Sequence, residues 1–316
     1  MIRTILEKID AGQTFLVASH EGPDGDAMAS TLALVNFLRE CGKDVVAYNK
    51  DGVPKDFDFL PGAETLVDCL DPDAVFDVGF VLDAGELRRA GLHLKDACRS
   101  LVNIDHHPHS EDFGDVYYVD ISASATGAMI YRIIKESGRP LSLDVALCIY
   151  TAILSDTGSF RYSNADPEAF TVAAEMVARG VSPWDVASGL YESQEEKRLR
   201  LLAMALATLT VSGCGHYASV SVTREMMEQS QAGPEHTDGF VNYPRSVRGV
   251  EVAIFFRQVS EQAFKVGFRS KGRIDVGSLS REFGGGGHHN AAGAVVEGSL
   301  EQVRNTVFSR LDMLLA

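Results

Sequence analysis

Long apolar runs are missing from this 316-residue chain. No window reaches the roughly 18 consecutive apolar residues needed to cross a bilayer, and Arg3, Glu7, Lys8 and Asp10 interrupt the N-terminus where a signal peptide needs an apolar core. No membrane partner is expected, and a cytoplasmic location is. Cysteine is sparse: Cys41, Cys69, Cys98, Cys148 and Cys214 have neither the paired spacing of a zinc site nor the density of a secreted disulfide framework, and read as free thiols. Positive charge is scarce too, with 29 Lys and Arg against 44 Asp and Glu for a net charge of −15. Such a chain lacks the extended positive surface by which long nucleic acid is held without regard to sequence, so a long duplex is excluded as a partner.

The charge that is present is unevenly placed. Residues 1–211 carry 18 basic and 33 acidic residues, whereas 212–294 carry 9 and 8. Within the second stretch, residues 245–281 hold Arg245, Arg248, Arg257, Lys265, Arg269, Lys271, Arg273 and Arg281 against only Glu251, Glu261 and Asp275. A short polyanion held by a local basic patch fits this distribution. The length suits two domains. In the first, the apolar run 14–19, the helical periodicity after residue 26, and the runs 45–48, 78–82 and 101–104 predict an α/β fold whose strands end in carboxylates, as in an open parallel sheet with helices on both faces. Helices are expected over 124–137, 143–155 and 168–178, with Trp184 burying its ring to anchor a connecting helix. The expected division is a catalytic domain at 1–190, a solvated linker helix at 191–207, and a smaller C-terminal α/β domain at 208–316. The alternation in AFKVGFRS puts Phe264, Val266 and Phe268 inside and Lys265 and Arg269 outside.

Four clusters in the first domain carry oxygen and nitrogen ligands: HEGPDGD at 20–26, Asp83 after an apolar run, DHH at 105–107, and Asp156 in ILSDTG. Pro23 and Gly25 build a turn that lets Asp24 and Asp26 face inward together, and His20 adds a nitrogen at the strand exit. His20, Asp24, Asp26, Asp83, His106 and Asp156 form a cysteine-free N/O set suited to two divalent ions, most naturally Mn²⁺, with Mg²⁺ or Co²⁺ as alternatives. Two such ions can activate a hydroxide and clamp a phosphate. Singly, each acid reads as a turn or cap residue; their conjunction at strand ends points to a metal site. His109 follows Pro108, which turns it away. In the second domain, Gly284–Gly287 can bring bare backbone N–H groups to an anion, and the residues from Asn290 to Ala294 are expected to begin a helix or turn.

The clusters HEGPDGDAMAS, VLDAGE, NIDHHPHS and ILSDTGSF, with SREFGGGGHHNAAGA further on, resemble the motifs of the DHH phosphoesterase family across essentially the whole chain. That resemblance implies that His20 and Asp24 hold one ion, that His106, Asp156 and Asp26 hold the other, and that Asp83 bridges them. It puts His107 beside the reacting phosphate, so that Asp83 and His107 are the catalytic candidates. It also implies a C-terminal substrate domain facing the metals across a cleft, with Arg269, Gly285, Gly286, Gly287 and His288 on the substrate phosphate and Asn242 and Arg245 as further candidates. The branch most resembled hydrolyses oligoribonucleotides of about two to five residues and removes the 3′-phosphate from 3′-phosphoadenosine 5′-phosphate. Linear or cyclic dinucleotide cleavage, manganese-dependent pyrophosphatase activity and non-catalytic nucleotide binding are the alternatives. A homodimer is compatible with the resemblance.

Overall fold

Thr14–Ser19 forms β1, buried along its last five residues. It is joined by β2 (Asp44–Tyr48), β3 (Val78–Leu82), β4 (Leu101–Asp105) and β5 (Val116–Val119) in a sheet of order β2-β1-β3-β4-β5, parallel throughout. The computed structural model describes residues 1–108 and 110–315, with the backbone alone at His288; His109 lies outside the described residues. Every residue of β3 and β4 is buried, as parallel strands covered on both faces require. Phe15, Val17, Phe80, Leu82 and Ile104 pack on one side against helices Gly25–Glu40 and Thr126–Glu136, on which helix Leu143–Asp156 lies in turn. On the other side Leu16, Ala18 and Val81 meet Leu87, Ala90 and Leu94. The fold is α/β, as expected.

Two elements of this unit, Met1–Ser193, go beyond the sequence pattern. The helix Ile2–Ala11 buries only Ile5 and Ile9, and β5 is a four-residue edge strand with one buried residue; neither offers a long periodic signal. Trp184 corrects an expectation, being 67% exposed, so its ring anchors nothing. Val186 and Leu190 fill the buried face of its helix, Pro183–Tyr191, instead.

The second unit, Gln194–Ala316, holds β6 (Thr210–Val211), β7 (Tyr217–Val222), β8 (Val252–Ser260), β9 (Ala263–Ser270), β10 (Gly286–His288) and β11 (Ala291–Glu297). Their order is β10-β11-β9-β8-β7-β6, antiparallel except for β7 with β8. Phe264, Val266 and Phe268 do point inward, packing with Ile254 and Phe256 against Val303, Val307 and Leu311 of helix Leu300–Leu315. The helix Glu196–Ala207 is not a wholly solvated connector, because Leu201 and Ala205 are buried with Val222 and Phe240. Residues 291–297 form a strand rather than a helix or turn; their pairing with β9 over seven residues outweighs the helix propensity of alanine. All five cysteines are free. No helix among the described residues is long and apolar enough to cross a membrane.

Candidate metal centre

In the order β2-β1-β3-β4-β5, the chain leaves β1 toward β2 on one side and reaches β3 on the other. The crevice outside the carboxyl ends of β1 and β3 is where open α/β sheets bind ligands. His20 follows β1, Asp83 follows β3, and Asp105 ends β4, so three neighbouring strands deliver side chains to that crevice. The turn after β1 leads straight into helix Gly25–Glu40, which carries Asp26 in its first turn and uses Asp24 as its N-cap: Asp24 Oδ1 accepts from Ala27 N–H at 3.1 Å. Gly25 is required here, because a Cβ would collide with Ser155 on the helix that ends in Asp156.

The predicted ligands converge. His20, Asp24 and Asp83 form one group and Asp26, His106 and Asp156 a second, with ligand atoms in each group within 4.8 Å of one another. Asp83 faces both through different oxygens, Oδ2 lying 3.7 Å from His20 Nε2 and Oδ1 lying 3.5 Å from His106 Nε2. His106 Nε2 is also 3.6 Å from Asp26 Oδ2 and 3.7 Å from Asp156 Oδ2. One imidazole N–H cannot donate to three carboxylates, and these separations exceed a hydrogen bond. They lie at or just beyond the upper end of the roughly 3.0–3.6 Å that separates neighbouring ligands about 2.1 Å from a shared ion. The donor set therefore fits a pair of divalent cations.

Each ligand is held from outside the cluster. Asp26 accepts from Thr126 N–H at 2.6 Å, Gly127 N–H at 3.0 Å and Ser30 Oγ at 2.7 Å, so the amino end of helix Thr126–Glu136 caps a carboxylate from another helix. Thr126 Oγ1 donates to Asp83 Oδ1 at 2.9 Å, and Asn164 Nδ2 to Asp156 Oδ2 at 2.9 Å. His106 Nδ1 lies 3.1 Å from the Ala123 carbonyl and His20 Nδ1 2.8 Å from that of Glu21. Both Nε2 atoms are thereby turned inward. Asp105 is the most consequential residue that the sequence reading left without a role. Its Oδ1 takes the amides of His106 and His107, at 2.9 and 3.2 Å, and stands 2.8 Å from His107 Nδ1. Ser30 was detectable as the residue one helical turn after Asp26; the others carried no local signal.

Burial and crowding shape the electrostatics. Asp26, Asp83 and Asp156 are each pushed up to about 7, first by burial and then by a neighbouring carboxylate. Burial also holds His20 below the ordinary histidine value, against the pull of Asp24. For His107 burial acts downward, yet the Asp105 hydrogen bond and the charge of Asp83 outweigh it and bring the value up to about 9. Burial would raise Asp105, but His107 and the amides keep it below the usual carboxylate range.

The candidates in the second unit are arranged differently from the free glycine loop expected. Gly284 and Gly285 N–H donate to Arg281 and Ser280 carbonyls, capping helix Val276–Glu282, and are not available to an anion. Gly285 is packed so closely against Gly293 and Ala294 that no Cβ fits, and Gly287 has φ 138° beside Ala291. Gly284 and Gly286 have open space where a Cβ would stand, and Gly284 has φ 75°. Gly286–His288 is an edge strand, and its register puts residue 288 opposite Ala291, which in turn pairs with Arg269. The His288 side chain lies outside the described part. Arg269 donates to the Phe268 carbonyl at 3.0 Å. Asn242 is exposed and Arg245 half-buried, both on the short helix Asn242–Ser246.

Comparison with known proteins agrees with this geometry. Residues 14–153 match the DHH family, N-terminal domain, and residues 215–315 match the DHHA1 domain. A Thermus thermophilus protein named bifunctional oligoribonuclease and PAP phosphatase NrnA is 34% identical over 286 residues, covering 89% of this chain and 84% of the relative. The chain belongs to the DHH phosphoesterase family. A Bacillus subtilis DHH relative of the same name is 28% identical, over 92% of each chain. The crystal structure of an exopolyphosphatase-related protein from Bacteroides fragilis superposes with a TM-score of 0.91 at 29% identity, covering 98% of this chain and 94% of that one.

Proposed function

We propose that this DHH-family chain hydrolyses very short oligoribonucleotides to mononucleotides and removes the 3′-phosphate from 3′-phosphoadenosine 5′-phosphate, acting in the cytoplasm. The observation that carries the reading is the convergence of six carboxylate and imidazole ligands at the β1/β3 switch point, in a chain similar over nearly its whole length to relatives that bear that name. His20 and Asp24 would hold one divalent ion and Asp26, His106 and Asp156 the other, with one Asp83 oxygen on each. Mn²⁺ suits this mixed set. When bound, the two ions supply acidification of a water and neutralisation of charge on the phosphate.

The chain's own residues do the rest. Thr126, Gly127 and Ser30 fix Asp26, and Asn164 fixes Asp156, so the ligands need little rearrangement. Asp105 anchors His107 through Nδ1 and leaves Nε2 as the atom that can hydrogen-bond the phosphate or hand a proton to the leaving oxygen. In the second unit Arg269, Gly286 and His288 would receive a terminal phosphate, with Gly285 and Gly287 shaping the strand and Asn242 and Arg245 as outer contacts.

An activity panel with Mn²⁺ tests the reading: RNA of about two to twenty nucleotides, 3′-phosphoadenosine 5′-phosphate, a cyclic dinucleotide and pyrophosphate. Turnover of the dinucleotide and of 3′-phosphoadenosine 5′-phosphate, falling with RNA length, is expected. Efficient pyrophosphate turnover with short RNA untouched would overturn the substrate assignment.

A further inference from the structure

Beside the metal centre stands a cation that none of these roles employs. Arg89 lies on the short helix Leu87–Ala90 after β3, half-buried, with Nη2 3.1 Å from His20 Nδ1. The neighbouring cations are neutralised, Arg88 by Glu86 and Lys50 by Glu21. Arg89 makes no ion pair with a carboxylate among the described residues. Its backbone is fixed to the site, since Glu21 N–H donates to the Arg89 carbonyl at 2.8 Å.

The contact with His20 cannot satisfy the guanidinium once His20 is a metal ligand. His20 Nδ1 is 2.8 Å from the Glu21 carbonyl, which can only accept, so Nδ1 carries the hydrogen and Nε2 is left bare toward Asp83. That tautomer is the one a ligand through Nε2 needs. Arg89 Nη2 and His20 Nδ1 are then both donors, and their approach leaves the guanidinium without an acceptor. A guanidinium with no carboxylate partner at the edge of the centre is open to an arriving anion. The planar fork of a guanidinium matches the paired oxygens of a phosphate.

We infer that Arg89 grips a non-bridging oxygen of the scissile phosphate, giving the metal-bearing unit a substrate contact besides His107. The inference rests on the phosphoesterase reading above and deepens it. Arg89 is thereby a substrate-binding residue that neither holds a metal nor moves a proton. A guanidinium at this place acts on any substrate whose reacting phosphate sits at the centre, whatever base or terminal group follows.

The test uses the full chain loaded with Mn²⁺, as wild type, Arg89→Ala and Arg89→Lys. Three quantities are read: bound manganese per chain, AMP affinity by calorimetry, and kcat/KM on the dinucleotide ApA and on 3′-phosphoadenosine 5′-phosphate. Arg89→Ala is expected to lose about 10²-fold in kcat/KM on both substrates and to bind AMP about tenfold more weakly, with manganese content unchanged. Added guanidinium ion restores part of the lost activity, and Arg89→Lys falls between the other two. Wild-type AMP affinity in Arg89→Ala would overturn the inference, as would an activity loss that saturating manganese repairs, which would make Arg89 a mere support for His20. If the wild type hydrolyses neither substrate, the functional reading fails, while AMP binding still reports whether Arg89 holds a phosphate.

Discussion

Asp83 adopts φ 56°, a left-handed conformation that costs a residue other than glycine roughly 1–2 kcal/mol and that Asp and Asn tolerate best. It does so fully buried, facing three histidines and accepting from Thr126. Replacement by Asn keeps the backbone preference and removes one charge from a crowded cluster. Asp83→Asn is therefore expected to melt at a higher temperature than wild type in chelator at about pH 8, while losing at least about 10³-fold in kcat/KM with manganese. Asp105→Asn is the complementary case. Manganese binding should persist, whereas kcat falls about 10–100-fold because His107 loses the negative charge that helps to hold its proton; parallel measurements of metal content and turnover separate the two effects. The shifted carboxylates also fix a pH dependence. Asp26, Asp83 and Asp156 are pushed up to about 7 in the metal-free fold and return to the ordinary aspartate value near 3.8 in the unfolded chain. Between those values the folded state holds protons that the unfolded state has released. The stability contribution is present below about pH 4 and is lost as pH rises through about 7. Melting curves in chelator should fall from about pH 5 to about pH 8, and manganese should reverse the fall.

At the scale of elements, the legible parts were those with strong local signals. β1, β3 and β9 have the limits that their apolar runs suggest, because a buried strand needs uninterrupted or alternating apolar residues. The six candidate ligands were legible for a related reason: a carboxylate at the end of a buried strand has few uses except at a ligand edge. The supports were hidden because they are tertiary. Nothing near Asp26 announces that the amides of Thr126 and Gly127 will meet it, and nothing near Asp156 announces Asn164. The glycine cluster misled in the opposite direction: two of its amides cap a helix and two of its residues are glycine for lack of room. Packing at these junctions is open to experiment. A Cβ on Gly127 would collide with that of Ala152, so Gly127→Ala is expected to destabilise by about 1–3 kcal/mol and to weaken manganese binding through Asp26. Chemical denaturation and a metal titration read the two consequences.

For the molecule as a whole, separate cores imply separate responses. The first unit's sheet is packed on both faces by its own helices, and the second unit's core uses Phe256, Phe264 and Phe268 with helix Leu300–Leu315. All six proposed ligands belong to the first. Manganese at about 100 times its dissociation constant should add about 2.7 kcal/mol to that unit, which for its size raises its melting point by about 5–10 °C. Scanning calorimetry is expected to resolve one transition that moves with manganese and one that does not.

The carboxylate of Asp26 is met by amides 100 and 101 residues further along the chain. During synthesis, the acidic turn after β1 leaves the ribosome long before the helix that must cradle it. A nascent or misfolded chain thus exposes loose acids with no gripping geometry, and hydrolytic competence becomes a checkpoint passed only when the turn after β1 and the helix that starts at Thr126 have found each other.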